Sequence, residues 1–380
     1  MARLGDLVTV SASSEQLTGD KFWLLNLDMV EQQTGNIIEY NYVSENELDG
    51  SIIQFDTDTV LYSKLRPNLN KVVLPTQAGF ATSEMLPLKP DTSKLCKEYL
   101  AVYLRSDDFV TWAVSKTAGA KMPRLGTQEL LNKDIPLPSI DEQLHISSLF
   151  AKISSIISLR KQQLAKLDEL VKARFVELFG DCLTNPKGWK TKCLEDIAEV
   201  GSSKRVFVEE LQEDGIPFYR GTEVGALAEG KQIAPELFIT EQHYAELCIA
   251  TGAPRIGDLL MPSICPDGRI WVVNTDEPFY FKDGRVLWVH AIDTIYNPVF
   301  LLYTLKDRIM TDYSSIASGT TFAELKIFAL KKCRVFDVPL TLQNQFAAFV
   351  EQIDKSKSAI QKSLDKLETL KAALMQKYFG

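Results

Sequence analysis

The chain has 380 residues, and its 42 Lys and Arg against 50 Asp and Glu give a formal net charge of −8. That length is too great for one ordinary hydrophobic core and suits roughly two to four units. The negative charge argues against a protein that coats nucleic acid regardless of sequence, although it allows local basic patches.

No apolar run approaches the length of a membrane-spanning helix, and the N-terminus lacks the apolar core of a signal peptide. We therefore expect a cytoplasmic protein with no membrane partner. The six cysteines are scattered without a C-x-x-C pair, and there are three histidines. This pattern is typical of reduced, buried thiols and predicts neither a disulfide framework nor a metal site.

Residues 1–140 predict a first globular module of the α+β class. Short β-like runs alternate with turns at residues 22–27, 51–55, 59–62 and 71–74. Between residues 99 and 115 the spacing of apolar residues becomes helical.

One loop of this module, between two predicted strands, is rich in cations and amides. Arg and Lys suit phosphates and guanine edges, and Asn suits adenine, so the loop is a candidate DNA contact. A solvated hairpin is the alternative. The candidate residues are Lys64, Arg66, Asn68, Asn70 and Lys71.

A second basic loop follows at residues 115–124. It contains Lys116, Lys121 and Arg124 and no acidic residue. Its small residues, such as Gly119, would let the backbone approach a phosphate closely. A plain connection between elements is the alternative.

Residues 141–180 predict a long helix. Phe150, Ile157 and Leu164 recur every seven residues, and the repeat continues through Val171 and Leu178. Ser139 begins a capping-box pattern and Gly180 supplies a stop. About forty residues at ~1.5 Å each make a rod of about 60 Å, and its apolar side needs a partner helix.

Residues 181–190 predict a linker. Its N-P-K-G run at residues 185–188 superficially resembles an adenine-methyltransferase motif, but it lacks the second proline and the aromatic residue. After the linker, residues 191–340 repeat the plan of the first module. The candidate DNA contacts of this second module are Arg220, Ser263, Arg269, Lys282, Arg285 and Thr320.

Residues 341–380 predict a second long helix that matches the first at an offset of two hundred residues. The matches include Leu170 with Leu370 and the F-G ends at 179–180 and 379–380. We predict a duplicated chain whose two long helices form an antiparallel coiled coil related by a pseudo-two-fold axis. The predicted pairing and partner-docking residues are Ile153, Ile157, Leu164, Leu167, Ile353, Ile360, Leu364 and Leu367.

Catalytic motifs are lacking in the sequence. No G-x-S-x-G, P-loop, G-x-G-x-x-G or H-E-x-x-H pattern occurs. We therefore predict a protein that is not an enzyme and needs no cofactor.

Three stretches together resemble the specificity subunit of type I restriction-modification enzymes. These are P-S-I-D-E-Q at residues 138–143, L-F-G-D at 178–181 with N-P-x-G-W at 185–189, and the repeat of the first long helix at the C-terminus. The second helix departs from the pattern, because P-L-T-L-Q at 339–343 is one residue shorter and has no acidic pair.

The resemblance implies a function for each part. In that family each module is a target-recognition domain that reads a few base pairs of double-stranded DNA, and the long helices pair as a spacer. Methyltransferase subunits, which we expect to number two, and restriction or translocase subunits dock on the helices, and the specificity subunit performs no chemistry. Two alternatives remain, which are a non-DNA coiled-coil scaffold with two binding modules and a self-sufficient DNA methyltransferase or nuclease.

Overall fold

The structure, a computed structural model, describes residues 1–14, 16–48, 50–119, 121–319 and 323–380. Thr320, one of the predicted DNA contacts, lies outside these residues. Two units form, one from residues 1–163 with 360–380 and the other from residues 164–359. The central long helix (Ile140–Phe179) and the C-terminal long helix (Leu340–Phe379) have 40 residues each, and both contribute to both units.

The globular part of the first unit contains short strands and three short helices. Its strands are β1 (Ala2–Arg3), β2 (Val8–Val10), β3 (Phe22–Leu25), β4 (Asn41–Val43), β5 (Ile52–Phe55), β6 (Val60–Ser63), β7 (Val72–Val73), β8 (Gly79–Thr82), β9 (Met85–Pro90), β10 (Thr117–Ala118), β11 (Arg124–Leu125) and β12 (Asp134–Ile135). Its helices are α1 (Lys97–Leu104), α2 (Asp107–Ser115) and α3 (Thr127–Leu131).

Two four-stranded sheets carry this part, in the orders β2-β9-β6-β7 and β4-β3-β8-β5. In β3 buried and half-buried positions alternate, so Trp23 and Leu25 point into the core. Strand β6 is buried at every position, because both of its faces are covered. The predicted helix at 99–115 is divided into α1 and α2. The division falls there because Ser106 caps α2, its hydroxyl accepting a hydrogen bond from Phe109 N at 3.3 Å.

In the first unit the start of the central long helix packs against the end of the C-terminal long helix. The ring centroids of Phe150 and Phe379 are 6.1 Å apart, and Lys161 Nζ lies 3.3 Å from a Glu368 carboxylate oxygen. From the first of these contacts to the second, the residue number rises in the central long helix and falls in the C-terminal long helix. The two segments therefore run antiparallel. The Phe379 ring also packs on Tyr103 of α1, with a centroid distance of 5.8 Å.

The globular part of the second unit has its own strands and helices. The strands are β13 (Thr191–Cys193), β14 (Glu199–Gly201), β15 (Ile216–Tyr219), β16 (Phe238–Ile239), β17 (Leu259–Pro262), β18 (Trp271–Val272), β19 (Tyr280–Phe281), β20 (Val286–His290), β21 (Ala317–Ser318), β22 (Glu324–Leu325) and β23 (Arg334–Phe336). The helices are α4 (Gly221–Ala228), α5 (Glu241–Thr251), α6 (Pro298–Ile316) and α7 (Ile327–Lys331).

The topology confirms the predicted internal repeat. The order β14-β20-β17-β18 copies β2-β9-β6-β7, and β15 pairs parallel with β19 as β3 does with β8. The copies differ at the other sheet, which in the described part of the second unit has three strands, β16-β15-β19. Val60 pairs with Leu88, and Leu259 pairs with Val289 at the equivalent place. Val60 therefore corresponds to Leu259, whereas the offset of two hundred residues found for the long helices would match Leu259 with Thr59.

The second unit holds the other two helix segments. Asp168 pairs with Lys357, whose Nζ is 2.6 Å away, and the rings of Phe175 and Phe346 are 5.4 Å apart. These segments also run antiparallel. Phe179, at the end of the central long helix, is fully buried against Phe300 of α6.

Two buried glutamines make the same contacts in the two units. The Gln143 side chain accepts a hydrogen bond from Cys96 N at 2.9 Å and donates to the carbonyls of Lys94 and Pro138. Gln343 accepts from Asn297 N at 2.8 Å and donates to two carbonyls in the same way. Each therefore ties the start of a long helix to the loop before α1 or α6.

The seam residues predicted from the seven-residue repeat lie on the inner sides of these helix segments. Ile156 and Leu170 lie in the apolar row beside this repeat and are 42% and 47% exposed. A two-helix seam covers only a narrow stripe of each helix, so the neighbouring row faces away. The predicted pairing residues are all buried or half-buried, namely Ile153, Ile157, Leu164, Leu167, Ile353, Ile360, Leu364 and Leu367.

The segment predicted as a linker is a hydrogen-bonded stop for the central long helix. Gly180 adopts φ +88°, and its N–H donates to Val176 O at 2.8 Å. The Asn185 side chain bonds the backbone of Trp189 in both directions, and Trp189 Nε1 donates to Phe179 O at 3.0 Å. The N-P-x-G-W run thus terminates the central long helix.

Candidate nucleic-acid interface

The basic loop after β6 and the hairpin β10–β11 lie side by side in the first unit. Leu125 N donates to Lys64 O at 2.9 Å, and Arg66 N donates to Pro123 O at 2.8 Å. These bonds join two segments that the sequence predicted separately. The groove beside them has a volume of about 890 Å³ and is lined by Lys64, Lys116 and Arg124 together with small residues such as Gly119.

The tip of the basic loop is held in an uncommon backbone conformation. Arg66 and Asn70 have φ of 49° and 50°, and they flank a single 3-10 turn at Pro67–Leu69. For residues other than Gly this left-handed conformation costs about 1 kcal/mol or more, so the surrounding structure must fix it. The turn leaves Arg66 and Asn68 exposed.

Four predicted cations of the first unit are free for a ligand. Within the described ranges, no side chain or backbone group pairs with the charged groups of Lys64, Arg66, Lys116 or Lys121. Three other predicted contacts have internal partners. The Asn70 side chain donates to Arg105 O, Lys71 Nζ donates to Leu27 O, and Arg124 lies 3.0 Å from Glu84.

The second unit repeats a backbone hydrogen bond of this surface with other side chains. Leu325 N donates to Ser263 O at 2.7 Å, as Leu125 N does to Lys64 O. Ser263 therefore occupies the position of Lys64, but it is 3% exposed and its hydroxyl is not at the surface. We therefore infer no DNA contact by Ser263.

An ion pair beside each surface has reversed signs in the two units. Arg124 on β11 pairs with Glu84, which precedes β9. Glu324 on β22 pairs with Arg285, which precedes β20. The positions are equivalent, because Ser263 N donates to Arg285 O as Lys64 N donates to Glu84 O. The sequence reasoning missed Glu84. The signal that could have found it is that the charges of Glu84 and Arg124 are reversed in Arg285 and Glu324 at the corresponding positions.

Some of the other predicted cations of the second unit have carboxylate partners, and one has none among the described residues. Arg220 bonds Glu223 and lies 3.0 Å from Glu236. Burial alone would raise the pKa of Glu223, but hydrogen bonds, first that from Arg220, hold it at about 2. Arg269 pairs with Asp267 at 2.8 Å. Lys282 is exposed, and no described group pairs with its amine.

The described residues contain no cluster of metal ligands, and burial makes some of the thiols unreactive. Across the described residues, no set of three or more His, Cys, Asp and Glu side chains is placed to hold a metal ion. Burial raises the pKa of Cys265 to about 12 and that of Cys333 to about 11, so these thiols are poor nucleophiles. No helix in the described part of the chain is both long and apolar enough to cross a membrane.

Fold and surface together define a recognition protein with two unlike copies of one α+β module and two long helices. The sequence matches the family "Type I restriction modification DNA specificity domain" over residues 3–169 and 186–371. The chain therefore belongs to this family. It is a type I specificity subunit, which recognises DNA sequence and is not itself an enzyme.

Several relatives and solved structures are similar to the chain. It is 24% identical to the MjaIX specificity subunit of Methanocaldococcus jannaschii, over 94% of this chain and 86% of that protein. It is 26% identical to the EcoDI specificity subunit of Escherichia coli, over 41% of this chain and 35% of that protein. The fold resembles the type I S subunit from M. genitalium, with a TM-score of 0.60 and 14% identity over 100% of this chain and 95% of that one. A chain from a study of complex assembly and conformational transition of the type I system also gives a TM-score of 0.60, at 18% identity over 100% and 96%.

Proposed function

We propose that the chain reads a bipartite, asymmetric target in double-stranded DNA, with one module on each half. The observation that carries this is the loop-and-hairpin surface, in which the described residues of both modules share two backbone hydrogen bonds and differ in side chains. Where the first module has the free cation Lys64, the second has the buried Ser263. Two surfaces of one shape with unlike chemistry suit two unlike half-sites.

In the first module, the exposure of each side chain indicates whether it would contact bases or phosphates. Arg66 and Asn68, at the loop tip, have the side chains that suit guanine and adenine edges. Lys64 and Lys116 line the groove behind them and suit phosphates. In the second module the exposed Lys282 is the free predicted cation, and Arg220, Arg269 and Arg285 would have to leave or share carboxylate partners.

Methylation and cleavage then belong to partner subunits, and the long helices are the docking surface. Leu170 and Leu370 occupy corresponding positions and are 47% and 48% exposed. A matched pair of exposed leucines supports two equivalent sites, hence two methyltransferase subunits, with the restriction or translocase subunits joining the same complex in the cytoplasm.

The experiment that tests this function is sequencing of methylated bases in host DNA, with the intact chain and with the chain deleted. We expect one motif, made of two short unlike parts separated by a spacer of fixed length, to lose methylation on deletion. An unchanged methylation pattern, together with no salt-dependent binding of the purified chain to DNA, would favour the scaffold alternative.

Replacing Leu170 or Leu370 with lysine is expected to remove one methyltransferase copy each, and the double variant should bind none. The fold should survive because both side chains are already exposed. Mass measurement of the assembled complex gives the copy number. Val208→Lys is the control, since Val208 is 76% exposed in the globular part of the second unit. Two copies retained by the double variant would place the docking surface elsewhere.

A further inference from the structure

A cavity of about 440 Å³ in the first unit has charged walls that the DNA-reading surface does not use. It lies between α1, the loop after β6 and the segments of the two long helices. Its charged lining residues are Arg105, Lys161, Lys371, Glu98, Asp107 and Glu368.

Arg105 enters this cavity without a carboxylate partner. One terminal nitrogen donates to Val72 O, while the Nε atom is buried and has no hydrogen-bond partner among the described groups. Burial lowers the pKa of Arg105 to about 10. The backbone at Gly35 approaches the guanidinium closely, because a Cβ added there would lie 2.6 Å from an Arg105 nitrogen.

Lys371 is a second cation without a partner. In the parts of the chain that the structure describes, no residue forms an ion pair or hydrogen bond with its amine. Burial lowers its pKa, and the positive charges of Arg105 and Lys161 lower it further. Glu368, the nearest acid in sequence, lies 3.3 Å from Lys161. Two partly desolvated cations therefore line the same cavity.

The second unit shows that the fold does not need a lysine here. The position that corresponds to Lys371 is Val171, which is 3% exposed and packs in the core. Gln361 stands in the place of Lys161, and Lys306 in the place of Arg105. Burying an ammonium group is unfavourable compared with burying valine. A lysine at such a position lowers stability, and a bound anion would offset that loss.

We propose that this cavity binds a small phosphate monoester between the Arg105 guanidinium and the Lys371 ammonium. A phosphate monoester carries about −1.5 to −2 charges near pH 7, which matches two cations better than one carboxylate or one DNA phosphodiester does. The arginine nitrogens suit phosphate oxygens. The volume leaves room for the organic group of the ester.

Thermal unfolding of the full-length chain with inorganic phosphate as the probe, at constant ionic strength, tests this site. At about ten times its dissociation constant, phosphate should shift the unfolding equilibrium roughly tenfold toward the folded state. Lys371→Val, which copies the second unit, should unfold at a higher temperature without phosphate and lose this response. Lys371→Gln should lose the response as well, and Lys306→Met, in the corresponding cavity of the second unit, should keep it.

Three outcomes would overturn the proposal. One is an equal phosphate response in the wild type and both Lys371 variants, which would mean general salt stabilisation. Another is an equal response of the wild type to acetate. The last is displacement of bound phosphate by a duplex without terminal phosphates, which would make the cavity part of the DNA surface. None of these outcomes depends on the proposed DNA target.

Discussion

Binding to one half of the DNA target is expected to weaken on the order of 100-fold when Lys64 and Arg66 are both replaced with alanine. The two side chains are free cations of one groove and one loop tip. A base-edge contact by arginine contributes about 1–3 kcal/mol of discrimination, and a phosphate contact adds to affinity without regard to sequence. The preferred bases at the other half should not change, because the other half is assigned to the second module.

Selection from random DNA with the assembled complex gives the base preference at each position, and a salt titration gives the number of phosphate contacts. We expect relaxed preference at one half only and a salt slope reduced by about one. Lys152→Ala, which removes an exposed cation from the central long helix, is the control for charge. Lys282→Ala should weaken binding at the opposite half. Equal weakening at both halves by the Lys64 and Arg66 change would mean that these cations act as nonspecific charge.

Replacing Gln143 or Gln343 with leucine is expected to lower the free energy of unfolding by about 3 kcal/mol or more. Each change leaves one backbone N–H and two backbone carbonyls without their partner in a buried place. An unmet buried hydrogen-bonding group costs about 1–3 kcal/mol. We expect the Gln143 change to destabilise the first unit and the Gln343 change to destabilise the second.

Hydrogen exchange of backbone amides separates these two effects. Protection should fall around Cys96 and the start of α1 in the Gln143 variant, and around Asn297 and the start of α6 in the Gln343 variant. Gln128→Leu is the control, because Gln128 is exposed. A loss of less than about 1 kcal/mol of the free energy of unfolding in both variants would show that water replaces the amide. These glutamines would then not stabilise the fold.

The long helices and their ends were predictable from the sequence because their signals are local. A seven-residue repeat, Ser139 before the helix and Gly180 after it need no knowledge of distant residues. The position of the basic loop was also predictable, since it lies between two short strands. The proximity of that loop to the hairpin β10–β11 was not, because it depends on pairing between Lys64 and Leu125 across the fold.

The choice among polar residues was the least predictable part of the site. Asn70 and Arg66 belong to the same eight-residue loop, yet one is buried against Arg105 and the other is exposed. The left-handed backbone of Arg66 and Asn70 on either side of the turn at Pro67–Leu69 decides this, and amino-acid composition does not predict it. In the same way, the offset of two hundred residues between the long helices does not hold at Leu259, because strand register is set by neighbouring strands.

The reversed ion pair limits where two such chains can be recombined. A chimera that crossed over within α1 or α2 would join Glu84 from one module to Glu324 from the other, or Arg285 to Arg124, and so place like charges at the hairpin. A chimera with its crossover inside a long helix would keep each hairpin together with its own Glu84 or Arg285, and so would keep both ion pairs. Exchange of whole modules is therefore compatible with this chain, whereas exchange of half a module leaves a like-charge pair that one compensating substitution would remove.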